Sequence, residues 1–276
     1  HDGAWARSRF LPVILTTIVR THDEPFIRVL NSVRDGVFNE EVHEFLTARN
    51  AEGQLEGPVT SLFGRKADAD RVNLMRLEAL NGEELTIPSE IQGDELSVGQ
   101  LLRTAPIGEA LQLKEGALVM IRQNDFRGRW VNGTQGYVKR LPGPDTAQGE
   151  DQQKVAIELL NGEEIEIGKS SFHLFNAEGR KAATVRNYPL SLAYALTIHK
   201  AQGATIDRMA VALKGLWEAG QAYVAMSRVR AGNGLYVLNW SKESIKADPM
   251  VKQFHRSIGL KVASSDWDEV EEVCWD

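Results

Sequence analysis

The chain of 276 residues is 42% hydrophobic and 25% charged, with a net charge of −6 and a single cysteine, Cys274. That balance suits a globular protein of roughly two domains and argues against a wholly basic nucleic-acid binder, a disulfide framework or a structural zinc site among its six scattered histidines. No apolar run approaches the ~20 residues of a membrane span, and HDGAWARSRF lacks the basic-then-apolar order of a secretory leader. One cysteine suits a reducing compartment, so an intracellular place, cytoplasm (nucleoid) or nucleus, and no membrane partner are expected.

In chain order, FLPVILTTIVR (10–20) is a short β-branched run that predicts a buried strand ending in Arg20. A helix should follow, capped by Asp23, with Pro25 in its first turn, Phe26, Val29, Leu30 and Val33 on one face, and Gly36 as the stop. A second helix is expected around EEVHEFL. VTSLFGRK (59–66) predicts another buried strand, and DADRVNLMRLEAL a helix with Val72, Met75, Leu77 and Leu80 on its stripe. Strand alternating with helix argues for an α/β layer around a parallel sheet.

The middle of the chain changes character. ALVMIRQN, GTQGYVKRL and KVAIELLNGEEIEIG are short β-type runs, and Asn161-Gly162 signals a type I′ hairpin. LPGPDTAQGEDQQ between them is a polar loop. A small barrel of about five strands is expected over residues 112–182, inserted between an α/β part at 1–111 and its continuation at 183–260, with an acidic tail at 261–276. The tail is either a solvated end or a docking or autoinhibitory segment. The α/β rhythm resumes with strands at SLAYALTIH and RMAVALK, a helix at LWEAGQAYVAMSRVR and a last strand at GLYVLNW. NGEE occurs at 81–84 and 161–164, read as two independent turns because their flanks differ.

Where does chemistry reside? Gly168-Lys169-Ser170 imitates a phosphate loop, but that motif needs a glycine at position 163, which is Glu163, and the intervening EIEI reads as a strand. TIHKAQGATID (197–207) is more informative: His199, Lys200 and Gln202 crowd around Gly203 after an apolar run. It is either an ordinary exit loop or a loop that touches phosphate. Arg20 at a strand end and Arg228 in a predicted helix supply the planar, permanently charged groups suited to a shared phosphate. Each alone also reads as an ordinary surface arginine.

These segments resemble the second motor domain of superfamily-one DNA helicases, nearest the 5′→3′ group of RecD-like and PIF (petite integration frequency) helicases. LTTIVRTHDEPFIRVLNSVRDG is similar to the segment of the fourth motif, NYPLSLAYALTIHKAQGATID to the fifth and GQAYVAMSRVRAGNGLYVLNW to the sixth. SLFGRKADADRVNLMRL resembles the strand and helix after the fourth motif. WSKESIKADPMVKQFH resembles the closing helix, and GALVMIRQNDFRGRWVNGTQGYV the start of an SH3-like insert.

The resemblance implies a RecA-like second motor domain, a parallel sheet flanked by helices, with an inserted small SH3-like β-barrel. It implies that Arg20 and Arg228 reach the γ-phosphate of ATP and act as catalytic fingers. Gln202 and Gly203 would lie by the nucleotide, and Thr197 and His199 would hold a phosphate of single-stranded DNA. Arg65 and Lys66 stand where the family often has Thr-Asn, and would hold DNA more by charge than by geometry. Trp130 and Asn132, beside Arg127 and Arg129, either line the DNA channel or pack at the barrel end. ATP and Mg²⁺ are implied as cofactors, the Mg²⁺ ligands and phosphate loop lying in a first motor domain expected before residue 1. On that reading this segment alone hydrolyses no ATP. Implied partners are single-stranded and duplex-junction DNA and the first motor domain of the same parent chain, with the protein monomeric and serving DNA repair, recombination or replication. The alternative is a non-catalytic DNA- or protein-binding module, distinguished by the absence of a phosphate-loop domain joined upstream.

Overall fold

A computed structural model describes residues 20–51, 55, 57–143 and 153–263, with side chains to residue 257. The expected strand at 10–20, apart from Arg20, and the tail from 264 lie outside the described residues, as does much of the loop at 141–153.

Helix α1 (Glu24–Arg34) opens as its sequence requires. Asp23 accepts the Phe26 N–H at 3.1 Å as N-cap, and Phe26, Val29, Leu30 and Val33 are buried along one face. Helix α2 (Glu40–Ala48) is capped in the same way by Asn39 and buries Val42 and Leu46. Strand β1 (Thr60–Phe63) follows, then helix α3 (Lys66–Glu78). Its contact face differs from the expected stripe. Ala69 and Leu77 are buried, but Met75 is 58% exposed. The inward position between the buried pair belongs to Asn73, whose amide donates to Ala195 O at 2.7 Å and accepts the Ala195 N–H at 2.9 Å. A polar side chain thus supplies the hydrogen bonds that an edge strand lacks on its open side.

Strand β2 (Leu85–Pro88), β3 (Glu90–Gly93), helix α4 (Glu95–Thr104), β4 (Ala110–Leu113), β5 (Leu118–Ile121), β6 (Gln135–Arg140), β7 (Val155–Leu159), β8 (Glu164–Ile167), β9 (Ser170–Phe175), β10 (Lys181–Asn187) and β11 (Leu190–Leu192) make up the β-rich middle. They pair antiparallel in three sheets: β11-β5-β6-β7-β8, β3-β10-β9 and β2-β4. These pairings reach beyond the expected limits of 112 and 182, since β3 and β11 take part. The β7–β8 hairpin forms where Asn161-Gly162 signals it, but by another turn. Gly162 N–H donates to Leu159 O at 2.9 Å, so Leu160 and Asn161 are the central residues and Gly162 follows at φ +87°. That is a three-residue loop closed by a left-handed glycine, rather than the two-residue type I′ form. The imitation phosphate loop lies between β8 and β9 with no helix after it, and Lys169 is ion-paired to Glu90 at 3.0 Å.

The chain then returns to the parallel sheet with β12 (Ala195–Thr197), β13 (Met209–Ala212), helix α5 (Gln221–Met226), β14 (Leu235–Asn239) and helix α6 (Pro249–Ala263). The order is β12-β1-β13-β14, every pair parallel. Apolar side chains from β1, β12, β13, β14, α1, α2 and α5 form one buried cluster, as a sheet covered by helices demands. The expected single strand at 191–199 is broken. Ala193 N–H donates to Leu118 O at 2.9 Å, while Tyr194 O accepts from Ser61 N–H at 2.9 Å. The chain passes from the antiparallel sheet to the parallel one between these residues. The helix expected at 216–230 is only α5. It starts after Gly220 at φ +82°, and ends at Ser227 because Val229 is drawn into a parallel bridge with Ile206. Arg228 therefore lies in the turn after the helix.

Asn73→Ala should cost about 1–3 kcal/mol by orphaning the Ala195 backbone, whereas Met75→Ala should stay within about 0.5 kcal/mol. Urea midpoints at unchanged m-value measure both, and the reverse ranking would restore the stripe read from sequence.

Candidate functional site

The polar loop leaves β12 at Thr197 and enters β13 at Met209. Its first half is tightly wound: Ala201 N–H donates to Thr197 O at 3.0 Å, Gln202 N–H to His199 O at 3.1 Å, and Ala204 N–H to Ala201 O at 3.1 Å. Gly203 takes φ +80°, and Gln202 and Gly203 are exposed. Thr197 Oγ1 accepts the Lys200 N–H at 3.2 Å. The antiparallel sheet holds this winding from below. Arg122, 8% exposed at the end of β5, donates to Lys200 O at 2.7 Å. Gly133, at φ +103°, lies so close that a Cβ there would stand 3.0 Å from Thr205 N and O. Neighbouring Asn132 receives no partner for its buried Oδ1 among the described residues. Its amide nitrogen lies 3.8 Å from where a Cβ on Gly203 would be.

Arg20 and Arg228 converge on Ser227. Arg20 Nη1 donates to Ser227 O at 2.7 Å and its Nε to Thr205 Oγ1 at 3.3 Å. Arg228 Nη2 donates to Ser227 Oγ at 2.9 Å and its Nε to Val224 O at 2.9 Å. Neither arginine has a carboxylate partner among the described residues. Burial, with the Arg20 charge nearby, pulls the Arg228 guanidinium below its ordinary value. Two part-buried like charges are thus oriented by neutral oxygens, an arrangement whose chemistry suits an anion.

The other polar residues gather where β1 and β12 end. Ile198 N–H donates to Phe63 O at 2.9 Å, which brings the start of the loop beside Gly64, Arg65 and Lys66. Arg65 precedes α3 and Lys66 begins it, both exposed. Lys66, Asp70, Arg71, Arg103, Thr197 and Lys200 line an open groove of about 880 Å³. Burial, then the charges of Lys66 and Arg122, lower the Lys200 ammonium from its ordinary value, with Asp70 opposing. His199 Nε2 stands 3.5 Å from Glu218 Oε2.

Trp130 is 7% exposed and sits in the core of the antiparallel sheets, its Nε1 without a partner among the described residues and the Arg129 guanidinium 4.4 Å from its ring centre. Of its two expected positions, packing at the sheet end is the one observed. Arg129 itself is turned to Asp125, whose carboxyl it holds down at about 2. Sequence reasoning missed Thr205, Ser227, Arg122 and Asn73. Arg122 alone carried a signal, an arginine at a strand exit like Arg20; the others are small polar residues, each with a partner more than 100 positions away.

A parallel sheet flanked by helices, with two arginines gathered beside the crossing loop, fits a RecA-like domain. No protein-family profile matches the chain. The ATP-dependent DNA helicase Pif1 of Bdellovibrio bacteriovorus is 41% identical over 255 residues, covering 92% of this chain and 56% of that one. The crystal structure of a Bacteroides sp Pif1 in complex with ADP-AlF4 is similar in fold, with a TM-score of 0.73 at 23% identity over 89% of this chain and 56% of that one. A Bacteroides Pif1 bound to ssDNA gives 0.61 at 25% identity over 91% and 57%. The chain matches the Pif1 family of helicases and spans about half the length of the relatives it matches. Among the described residues no helix is long and apolar enough to cross a membrane, and no group of three acidic, histidine or cysteine side chains could hold a metal ion.

If the arginine pair is an anion site, inorganic pyrophosphate should raise the thermal midpoint of the chain by mass action. Arg20→Gln and Arg228→Gln should each lose most of that rise while shifting the ligand-free midpoint little. An equal rise in all three proteins would locate the anion elsewhere.

Proposed function

We propose that this chain is the second motor domain of an ATP-driven DNA helicase that moves along single-stranded DNA and unwinds duplex. It supplies arginine fingers to ATP bound on a first motor domain of the same parent chain. The observation that carries this reading is the meeting of Arg20 and Arg228 at Ser227 without a carboxylate among the described residues, with Arg20 also bonded to Thr205 on the loop whose other end carries Thr197 and His199. The similar proteins support it by name: an ATP-dependent DNA helicase, and Pif1 structures in complex with ADP-AlF4 and bound to ssDNA.

In this mechanism ATP supplies the phosphoanhydride whose cleavage drives movement, with Mg²⁺ held by residues of the first motor domain. Arg20 and Arg228 complement charge on the γ-phosphate, their orientation fixed in advance by Ser227, Thr205 and Val224, so little reorganisation is needed as charge develops. Gln202 and Gly203 lie on the stretch between the arginines and the DNA residues, and relay nucleotide state along it. Thr197 and His199 hold a backbone phosphate by hydrogen bonding; Lys66 and Lys200 along the groove, and Arg65 beside it, add sequence-independent attraction. Asn132, against Gly203, couples the antiparallel sheets to that relay. These sheets act as an SH3-like insert, centred on 112–182, that shapes the DNA channel next to the duplex junction, and the protein works as a monomer.

In the complete enzyme Arg228→Ala should lower kcat by about 10³-fold or more and leave the Kd for single-stranded DNA within about threefold. Arg228→Lys should recover little, because a lysine lacks the planar fork that bridges Ser227 and Val224. Turnover at the wild-type rate in Arg228→Ala would remove the finger from the mechanism.

A further inference from the structure

Trp217 lies in the loop between β13 and α5, 50% exposed, and is the exposed indole among the described tryptophans Trp130, Trp217 and Trp240. Its environment is specific. A Cβ on Gly64 would stand 3.2 Å from Trp217 Cζ3, 3.6 Å from Cη2 and 2.9 Å from Leu216 Cδ2. The indole therefore lies against the bare backbone at the exit of β1, immediately before Arg65 and Lys66. The reason for glycine at this position is space. Glu218, the next residue, faces His199 at 3.5 Å and accepts from Gln221 Nε2 at 3.2 Å. This carboxylate is the one acidic group beside the indole on its own loop, and both neighbours engage it. Trp217 thus lies against Gly64, which leads into Arg65 and Lys66, and is followed by Glu218, which faces His199.

A singly exposed aromatic is ordinary on a protein surface; what sets Trp217 apart is its place against the strand exit that leads into Arg65 and Lys66. The elements beside it carry polar groups: Gly64 leads into Arg65 and Lys66, and Glu218, next to the indole in sequence, faces His199. An exposed indole packed on the strand exit that leads into Arg65 and Lys66 suits a base attached to a phosphate backbone, because bases stack on indoles irrespective of sequence. We propose that Trp217 is a nucleobase-stacking platform: a base of the single strand lies on its exposed area while the adjoining phosphates engage Thr197, His199, Arg65 and Lys66. The platform rests on the DNA-binding reading above, and adds to it a contact made to a base rather than to a phosphate. Any of the four bases serves equally, since the ring offers no hydrogen-bond code.

The test compares an oligothymidylate with an oligonucleotide of equal length whose residues are all abasic, both titrated into the full chain by fluorescence anisotropy. Trp217→Ala should weaken oligothymidylate binding by roughly 5- to 100-fold, leave abasic binding within about twofold, and leave the salt slope unchanged. Trp217→Phe should retain most of the affinity, which separates stacking from a folding defect. Arg65→Ala with Lys66→Ala should weaken both oligonucleotides together and flatten the salt slope. Equal loss on both oligonucleotides in Trp217→Ala, or no loss on either, would overturn the platform while the phosphate contacts stand. A wild-type chain that binds neither oligonucleotide would overturn the platform together with the DNA-binding reading.

Discussion

Everything at this site depends on a constraint of parallel sheets. A strand and its parallel successor run in the same direction, so the link between them must travel back from the carboxyl end of one to the amino end of the next. Between β12 and β13 that journey is made by residues 198–208 alone, without the usual crossover helix. It is possible because β12 and β13 are only three and four residues long, about 10–13 Å at ~3.3 Å per residue. A single short loop therefore begins among Thr197, His199 and Lys200 and ends among Thr205, Arg20 and Arg228. Groups at opposite ends of the sheet are joined by a few peptide units rather than by a packed helix.

Such a loop is not stable by itself, and the antiparallel sheets supply what it lacks. Arg122 ties down Lys200 from β5, and the Asn132-Gly133 turn presses on Ala204 and Thr205. A buried joint at Thr60 continues the connection. Its hydroxyl donates to Ala193 O at 2.7 Å and accepts from Gln135 on β6. Against this support stands a local repulsion: two like charges are held part-buried and share Ser227, with no carboxylate among the described residues to offset them. Protein stability is marginal, and on the reading proposed above this repulsion is offset when an anion binds.

The legible parts of the sequence were those in which cause and effect are neighbours. Asp23 caps α1 three residues from the N–H it accepts, Gly36 stops the same helix, and the apolar runs that became β1, β13 and β14 needed only their own composition. The illegible parts were decided at long range. The run at 192–196, LAYAL, shows no break in its apolar character, and only its partners, Leu118 for Ala193 and Ser61 for Tyr194, divide it between two sheets. Met75 fits a helical stripe by spacing, but the edge strand's need for a donor and an acceptor turned Asn73 inward in its place. Helix α5 stops short because Val229 pairs with Ile206, a demand no helix propensity contains. Arg20 and Arg228 could be singled out by residue type; that they meet on Ser227 could not.

The two tryptophans show the same division within one residue type. Trp130 stands among Arg127, Arg129 and Asn132, and by composition alone is the better nucleic-acid candidate. Its loop, however, is closed by Asp125, which takes the guanidinium of Arg129 and the N–H groups of Arg127 and Arg129, so the ring is carried into the core with Arg129 over its face. Trp217 has glycines and a glutamate for close neighbours in sequence and no cation until Lys214. Its place beside Arg65 and Lys66 is set by β1, a strand that precedes it by more than a hundred residues. An aromatic becomes a surface for ligands when the elements around it are full and its own loop cannot fold it away. That condition belongs to the tertiary structure, and Gly64, by leaving room for the ring beside the strand exit, is the residue that sets it.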